Sequence, residues 1–141
     1  MASPIVVLHI DDDPAFLDLT AELLEKVSDN LSVLSQSDPT MTLRQLENGE
    51  IECVICDYKM PQVTGLELCK RVREEHPDLP FFLFTSQSPD ELIDEVVAAG
   101  ATDYIQKEPG IAHFKLLANR VQNAVLHYRT QRRIEETFEV I

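Results

Sequence analysis

The sequence predicts an α/β fold, a parallel sheet with helices on both faces. Five short apolar runs alternate with amphipathic stretches along 141 residues, and five such alternations in one domain-sized chain pack best around a parallel sheet. The central runs, Val6-Val7-Leu8 and Phe81-Phe82-Leu83-Phe84, are apolar without a break, as strands covered on both sides must be. Three Asx/Ser-Pro pairs, Asp13-Pro14, Asp38-Pro39 and Ser88-Pro89, mark helix starts after strands. A cap residue needs a non-helical backbone, which a following proline also favours.

Each element has its own signal. Ile5–Ile10 is rich in β-branched residues and reads as the first strand. Residues 14–27 place Phe16, Leu19, Leu23 and Val27 on one helical face, with Asp18, Glu22 and Glu25 elsewhere. Leu31–Ser35 is a weaker second strand, followed by a short helix from Pro39 to about Asn48 that Gly49 closes. Cys53–Cys56 is the third strand, and a helix from Gly65 to His76 follows its loop. Phe81–Phe84 is the fourth strand, and Pro89–Ala99 a helix ended by Gly100. Asp103–Gln106 is a short fifth strand, and a long helix runs from about Ile111 toward the C-terminus. Ser88 with Glu91, and Thr64 with Glu67, have capping-box spacing.

Composition excludes several functions. Twelve Lys and Arg against 25 Asp and Glu give a net charge of −13, which disfavours nucleic acid as a partner because phosphate contacts need clustered positive charge. The longest apolar runs, such as Val96–Gly100, fall far short of the ~20 residues of a membrane span. Met1-Ala2-Ser3-Pro4 lacks the basic region of a signal peptide. Cys53, Cys56 and Cys69 cannot all pair and have no zinc-site partners, so they read as buried thiols in a reducing cytoplasm. A hydrophobic fraction of 44% supports a real core. The expected protein is a cytoplasmic domain, and acids at twice the number of bases, with Arg outnumbering Lys, resemble proteins of salt-loving archaea.

In an open parallel sheet, ligands bind beyond the carboxyl ends of the strands. The first strand ends in Asp11-Asp12-Asp13, the third in Asp57 and the fourth in Thr85-Ser86, while Lys107 follows the fifth. Asp13 reads as the helix cap. The other acids repel one another by roughly 4 kcal/mol per pair at ~4 Å and an effective dielectric near 20, so an ionised cluster calls for a cation. Oxygen donors without His or Cys point to Mg²⁺.

Four segments carry a family resemblance: Val7-Leu8-His9-Ile10-Asp11-Asp12-Asp13-Pro14; Cys56-Asp57-Tyr58-Lys59-Met60-Pro61 with Gly65; Thr85-Ser86; and Asp103-Tyr104-Ile105-Gln106-Lys107. In this order and spacing the chain resembles the receiver domains of two-component phosphorelays over residues 5–128. The resemblance implies a flavodoxin-like doubly wound fold, a five-stranded parallel sheet in the order 2-1-3-4-5. It implies that Asp57 accepts a phosphoryl group from a sensor histidine kinase or a histidine phosphotransfer protein. Asp12, Asp11 (partly through water), Asp57 and the backbone carbonyl of Lys59 would hold Mg²⁺. Lys107 would pair with Asp57 before reaction and with phosphoryl oxygens afterwards. Thr85 would turn its hydroxyl to the phosphoryl group, and Tyr104 would move between outward and inward positions, reshaping the face of the fourth helix, fifth strand and fifth helix. A homodimer through that face or through the C-terminal helix is a further expectation. The chain would then be a phosphoacceptor rather than an enzyme. The rival readings are a Mg²⁺-dependent phosphohydrolase acting through an aspartyl phosphate, and an interaction module independent of phosphorylation. Aspartate phosphatases usually carry a second acid two positions after the nucleophile, where this chain has Lys59.

One motif departs from the family. The lysine after the fifth strand is usually followed directly by proline, but here the order is Lys107-Glu108-Pro109-Gly110. A cis bond before Glu108 would cost ~2.5–4 kcal/mol, so a trans bond and an altered loop are expected, with Glu108 a competitor for Lys107. The last helix carries a core stripe of Phe114, Leu117, Val121, Ala124, Val125 and Tyr128, then a second stripe of Ile134, Phe138 and Ile141. Continued to its end, the helix would pass ~20 Å beyond Tyr128. The expected organisation is a receiver domain over 1–128 and, over 129–141, a helical extension or linker to a further module of a longer chain.

Overall fold

The computed structural model describes residues 4–140, with side chains through Phe138; Met1–Ser3 and Ile141, including the place expected for Ile141 in the second stripe, lie outside it. Strands β1 (Ile5–Ile10), β2 (Leu31–Gln36), β3 (Cys53–Cys56), β4 (Phe81–Thr85) and β5 (Asp103–Gln106) alternate with helices α1 (Pro14–Val27), α2 (Thr42–Leu46), α3 (Gly65–Glu75), α4 (Pro89–Ala99) and α5 (Ile111–Val140). All neighbouring strands are parallel, in the order β2-β1-β3-β4-β5. This is the flavodoxin-like doubly wound sheet that the sequence predicts.

Period-two alternation divides the core into two layers. Val7, Cys53, Ile55, Phe82 and Phe84 face α1 and α5, meeting Leu24, Phe114, Leu117, Val121 and Val125. Leu8, Ile10, Val54, Cys56, Phe81 and Leu83 face α2, α3 and α4, meeting Leu46, Cys69, Val72, Leu92 and Val96. The three cysteines are free and buried, and burial pushes the Cys69 thiol up to about 11. Among the described residues no helix is long and apolar enough to cross a membrane.

Two expectations are corrected. The fully buried row of α1 is Leu17, Thr20 and Leu24; of the expected face, Phe16, Leu23 and Val27 still pack against the core and Leu19 does not. The helix sits in the corner between the sheet and α5, so Phe16, Leu23 and Val27 flank that row half-buried while Leu19 turns outward, 45% exposed. The helix expected over 39–48 is shorter: a 3₁₀ turn, Pro39–Met41, leads into α2, which stops at Leu46. The Thr42 hydroxyl donates to the Pro39 carbonyl at 2.8 Å, favouring this tighter winding. Asp13 accepts from the N–H groups of Ala15 and Phe16 and Thr64 from that of Glu67, as read, whereas Ser88 accepts from the N–H of Asp90 rather than that of Glu91.

Candidate functional site

The sheet fixes the site through its own ladder. Beyond the strand ends, the Asp57 N–H donates to the Ile10 carbonyl at 3.0 Å, the Asp11 N–H to the Gln36 carbonyl at 3.2 Å, and the Lys107 N–H to the Thr85 carbonyl at 2.8 Å. Each of these three backbones is therefore pinned to a neighbouring strand, and their side chains emerge at one edge. Tyr58, next in the β3 loop, gives its N–H to Asp57 Oδ1 at 2.8 Å. The loop closes where the Gly65 N–H reaches the Tyr58 carbonyl at 2.7 Å. A side chain at Gly65 would put Cβ 2.3 Å from the Asp57 carbonyl oxygen, so the close approach requires glycine.

Asp11, Asp12 and Asp57 converge: one carboxylate oxygen from each lies within 4.8 Å of the other two. Asp11 is buried, Asp12 exposed, and Asp57 sits at the boundary. Lys107 Nζ lies 2.8 Å from Asp11 Oδ2 and 3.5 Å from Asp57 Oδ2. The sequence reading paired Lys107 with Asp57 alone; the structure makes Asp11 the nearer partner. The other Asp11 oxygen accepts from the Asp13 N–H at 3.0 Å. Burial raises the Asp57 carboxyl above the usual carboxylate range, against the downward pull of the Lys107 charge, the Thr85 hydroxyl and the Tyr58 N–H. A further positive charge beside Asp57 would favour its ionised form. Three hard oxygen donors grouped this closely fit a small divalent cation such as Mg²⁺.

The remaining expected residues stand around this cluster. Thr85 closes β4, buried, with its hydroxyl accepting from the Gln87 N–H at 3.5 Å. Tyr104, half-buried on β5, donates its hydroxyl to the Gln87 carbonyl in the β4–α4 loop. Lys59 lies in the loop after β3 with its side chain in solvent. Among the described residues all peptide bonds are trans, Lys107–Glu108 included. Glu108 does not compete for Lys107 as expected. Its carboxylate faces the His113 Nδ1 at 3.8 Å, because the loop turns outward into α5.

Sequence reasoning missed the aromatic wall beside these acids. His9 is fully buried on β1, with no hydrogen-bond partner for either ring nitrogen, and packs near Phe16 and Phe84. Burial lowers its imidazole to about 4, with Asp11 pulling upward and Lys107 downward. Lys107 Nζ lies 4.2 Å from the Phe16 ring centroid. Only the apolar character of Phe16 was legible, since its partner is 91 positions away in the chain. Outside this wall, α1 and the β5–α5 loop enclose a groove of about 530 Å³, lined by Phe16, Leu19, Leu23, Ile111 and Phe114 with Lys107 among its walls.

Comparison with known proteins identifies the family and the fold. Residues 7–119 match the family described as the response regulator receiver domain. The response regulator MprA of Mycobacterium sp. (strain KMS) is 33% identical over 107 residues, covering 74% of this chain and 44% of that protein. The cyclic di-GMP phosphodiesterase response regulator RpfG of Xanthomonas campestris pv. campestris (strain 8004) is 27% identical over 103 residues, covering 72% of this chain and 27% of that protein. The chain spans less than half the length of these relatives. Among solved structures, a CheY-like response regulator receiver domain protein from Methanospirillum hungatei JF-1 superposes with a TM-score of 0.79 at 24% identity, covering 92% of this chain and 99% of that one. That likeness concerns the fold.

Proposed function

The chain belongs to the response regulator receiver domain family, and from that premise we propose that it is a switch that accepts a phosphoryl group on Asp57. The supporting observation is the position of the Asp57 carboxylate, beside the Lys107 ammonium and grouped with the oxygens of Asp11 and Asp12. Phosphoryl transfer needs positioning and charge neutralisation more than covalent help. In the proposed step an Asp57 oxygen forms the new P–O bond, the P–N bond of a phosphohistidine breaks, and the departing imidazole takes a proton from solvent. Asp11, Asp12, Asp57 and the Lys59 carbonyl would hold Mg²⁺, which when bound neutralises phosphoryl oxygens. Lys107 supplies the second positive charge, and Thr85 a hydroxyl donor.

The donor in this reading is a sensor histidine kinase or a histidine phosphotransfer protein. The groove beside Lys107 suits an apolar helix face that brings its histidine to Asp57. Esterification replaces one negative charge by about −1.5 to −2 and adds acceptor oxygens. Thr85 and the loop holding Lys107 then gain a new partner, Tyr104 moves inward, and the α4-β5-α5 face changes with them. A coupling of ~1–3 kcal/mol is expected. Residues 1–128 form the receiver in this reading, and 129–141 are a helical extension toward a partner copy or a further module, in the cytoplasm.

The test is incubation with acetyl phosphate and Mg²⁺, read by intact mass. One phosphoryl group should be gained, and Asp57→Asn or chelation with EDTA should abolish the gain. Mg²⁺-dependent uptake that survives Asp57→Asn would refute the assignment.

A further inference from the structure

We propose that Phe16 is a positioning residue for Lys107, its ring face holding the ammonium in place beside Asp57; this rests on the reading of Asp57 as phosphoacceptor. A lysine side chain is a point charge on a flexible four-carbon stem, so backbone placement alone does not aim it. Here the ammonium is bracketed by Asp11 Oδ2 at 2.8 Å, Asp57 Oδ2 at 3.5 Å and the Phe16 ring centroid at 4.2 Å. The aromatic face carries partial negative charge and attracts a cation at this distance.

The ring is itself held. Phe84 on β4 lies 5.6 Å away, and His9 on β1 meets it at 5.9 Å and 71°, so two fully buried strand residues fix its plane. The backbone beneath it is tied into the α1 cap, where the Phe16 N–H donates to Asp13 Oδ1 at 3.4 Å. Phe16 also lies off the buried row of α1, which is Leu17, Thr20 and Leu24. Its ring packs half-buried against the core layer and borders the groove together with Lys107.

The two carboxylates that bracket Lys107 have other work. Asp57 is the group to be esterified, and both belong to the oxygen cluster suited to a cation. The ring has no such competing role, so it is the bracket that persists through the reaction. A docked partner covering the groove would exclude water from the pair and strengthen it.

The experiment measures phosphorylation by acetyl phosphate with Mg²⁺ in the wild type, Phe16→Leu, Phe16→Tyr, Lys107→Met and the Phe16→Leu/Lys107→Met double variant. Thermal melts check folding. Phe16→Leu should slow the reaction roughly threefold to tenfold, the range expected of one such contact, and Phe16→Tyr should recover most of that loss. In the Lys107→Met background Phe16→Leu should change nothing further. Equal rates for wild type and Phe16→Leu, or the same slowing with Lys107 removed, overturn the positioning role. A second readout is independent of phosphoryl chemistry: the ¹⁵N resonance of the Lys107 ammonium should persist in the wild type and Phe16→Tyr and exchange-broaden in Phe16→Leu. Absence of uptake by the wild type would refute the functional reading alone. An ammonium signal unaffected by Phe16→Leu refutes the positioning role alone.

Discussion

Gly65 and His9 show how single residues set the site from behind. At Gly65 an added methyl would meet the Asp57 carbonyl oxygen at 2.3 Å and a Leu83 methyl at 2.8 Å, one backbone and one buried side chain. Neither yields easily, so Gly65→Ala should lose about 1–3 kcal/mol in urea denaturation and slow phosphorylation, since Asp57 moves with its carbonyl. A variant as stable and as fast as wild type would show that the loop has slack. His9 makes acid stability its own signature. Its imidazole titrates at about 4 in the fold because burial opposes the charge, against about 6.5 in an unfolded chain. Below 6.5 the unfolded state binds the extra proton first. The stability from a neutral His9 is therefore complete above pH 6.5 and drains away as pH falls through 4, by at most about 3 kcal/mol. Because neither ring nitrogen has a partner, His9→Leu should flatten this segment of the profile in urea midpoints taken from pH 4 to 7.5. An unchanged slope would assign the acid sensitivity to other groups.

At the level of elements, strands and helix starts were legible because their signals are local: apolar runs, Pro-headed caps and Gly100 after α4. The innermost row of α1 was not, because Thr20 interrupts it with a hydroxyl while the neighbouring row is wholly apolar, and only the corner between sheet and α5 selects Leu17, Thr20 and Leu24. Site legibility follows the same division. Asp11, Asp12, Asp57, Thr85 and Lys107 could be read as a group because a parallel sheet brings its carboxyl ends to one edge. The Lys107–Asp11 bond joins residues 96 positions apart and depends on where a flexible side chain comes to rest. Arg73 is a similar long-range feature that no sequence signal announced. From α3 its guanidinium reaches the carbonyls of Gly100 at 2.8 Å, His76 at 3.0 Å and Leu79 at 2.6 Å, with the Thr102 hydroxyl at 3.4 Å. It thus ties the end of α4 to the starts of β4 and β5, at the opposite end of the sheet from Asp57. Arg73→Ala should lower stability by about 2–3 kcal/mol in chemical denaturation. Arg73→Lys should recover little, because an ammonium cannot span that fork of acceptors. Full rescue by lysine would mean that charge alone matters there.

For the whole molecule, the distribution of charge determines how two copies can approach. Residues 129–141 hold three arginines and three glutamates, so the net −13 of the chain resides entirely in residues 1–128. Two such bodies repel, whereas the extension is locally neutral. It is also held in direction: Arg129 grips both carboxylate oxygens of Glu52, just before β3, and reaches the Pro4 carbonyl. Helix α5 spans 30 residues, about 45 Å, whereas a body of this size has a radius of gyration of only about 14 Å. Past Arg129 the helix therefore projects into solvent, with Ile134 51% and Phe138 73% exposed, one turn apart on the same face. Pairing of two such stripes buries four side chains, worth about 6–12 kcal/mol at roughly 1.5–3 each. Association opposes this by about 4–15 kcal/mol, so only a weak dimer is expected. Salt then acts in a diagnostic direction: it screens repulsion between the bodies but leaves apolar contact intact. In sedimentation equilibrium the weight-average mass should rise with protein concentration, and rise further on going from low to moderate ionic strength. Phe138→Lys should hold the chain monomeric under both conditions while leaving phosphorylation of Asp57 unchanged. A wild type that stays monomeric at every concentration and salt would mean that the stripe serves a different partner, and association that weakens with salt would mean that opposite charges, rather than Ile134 and Phe138, bring the copies together.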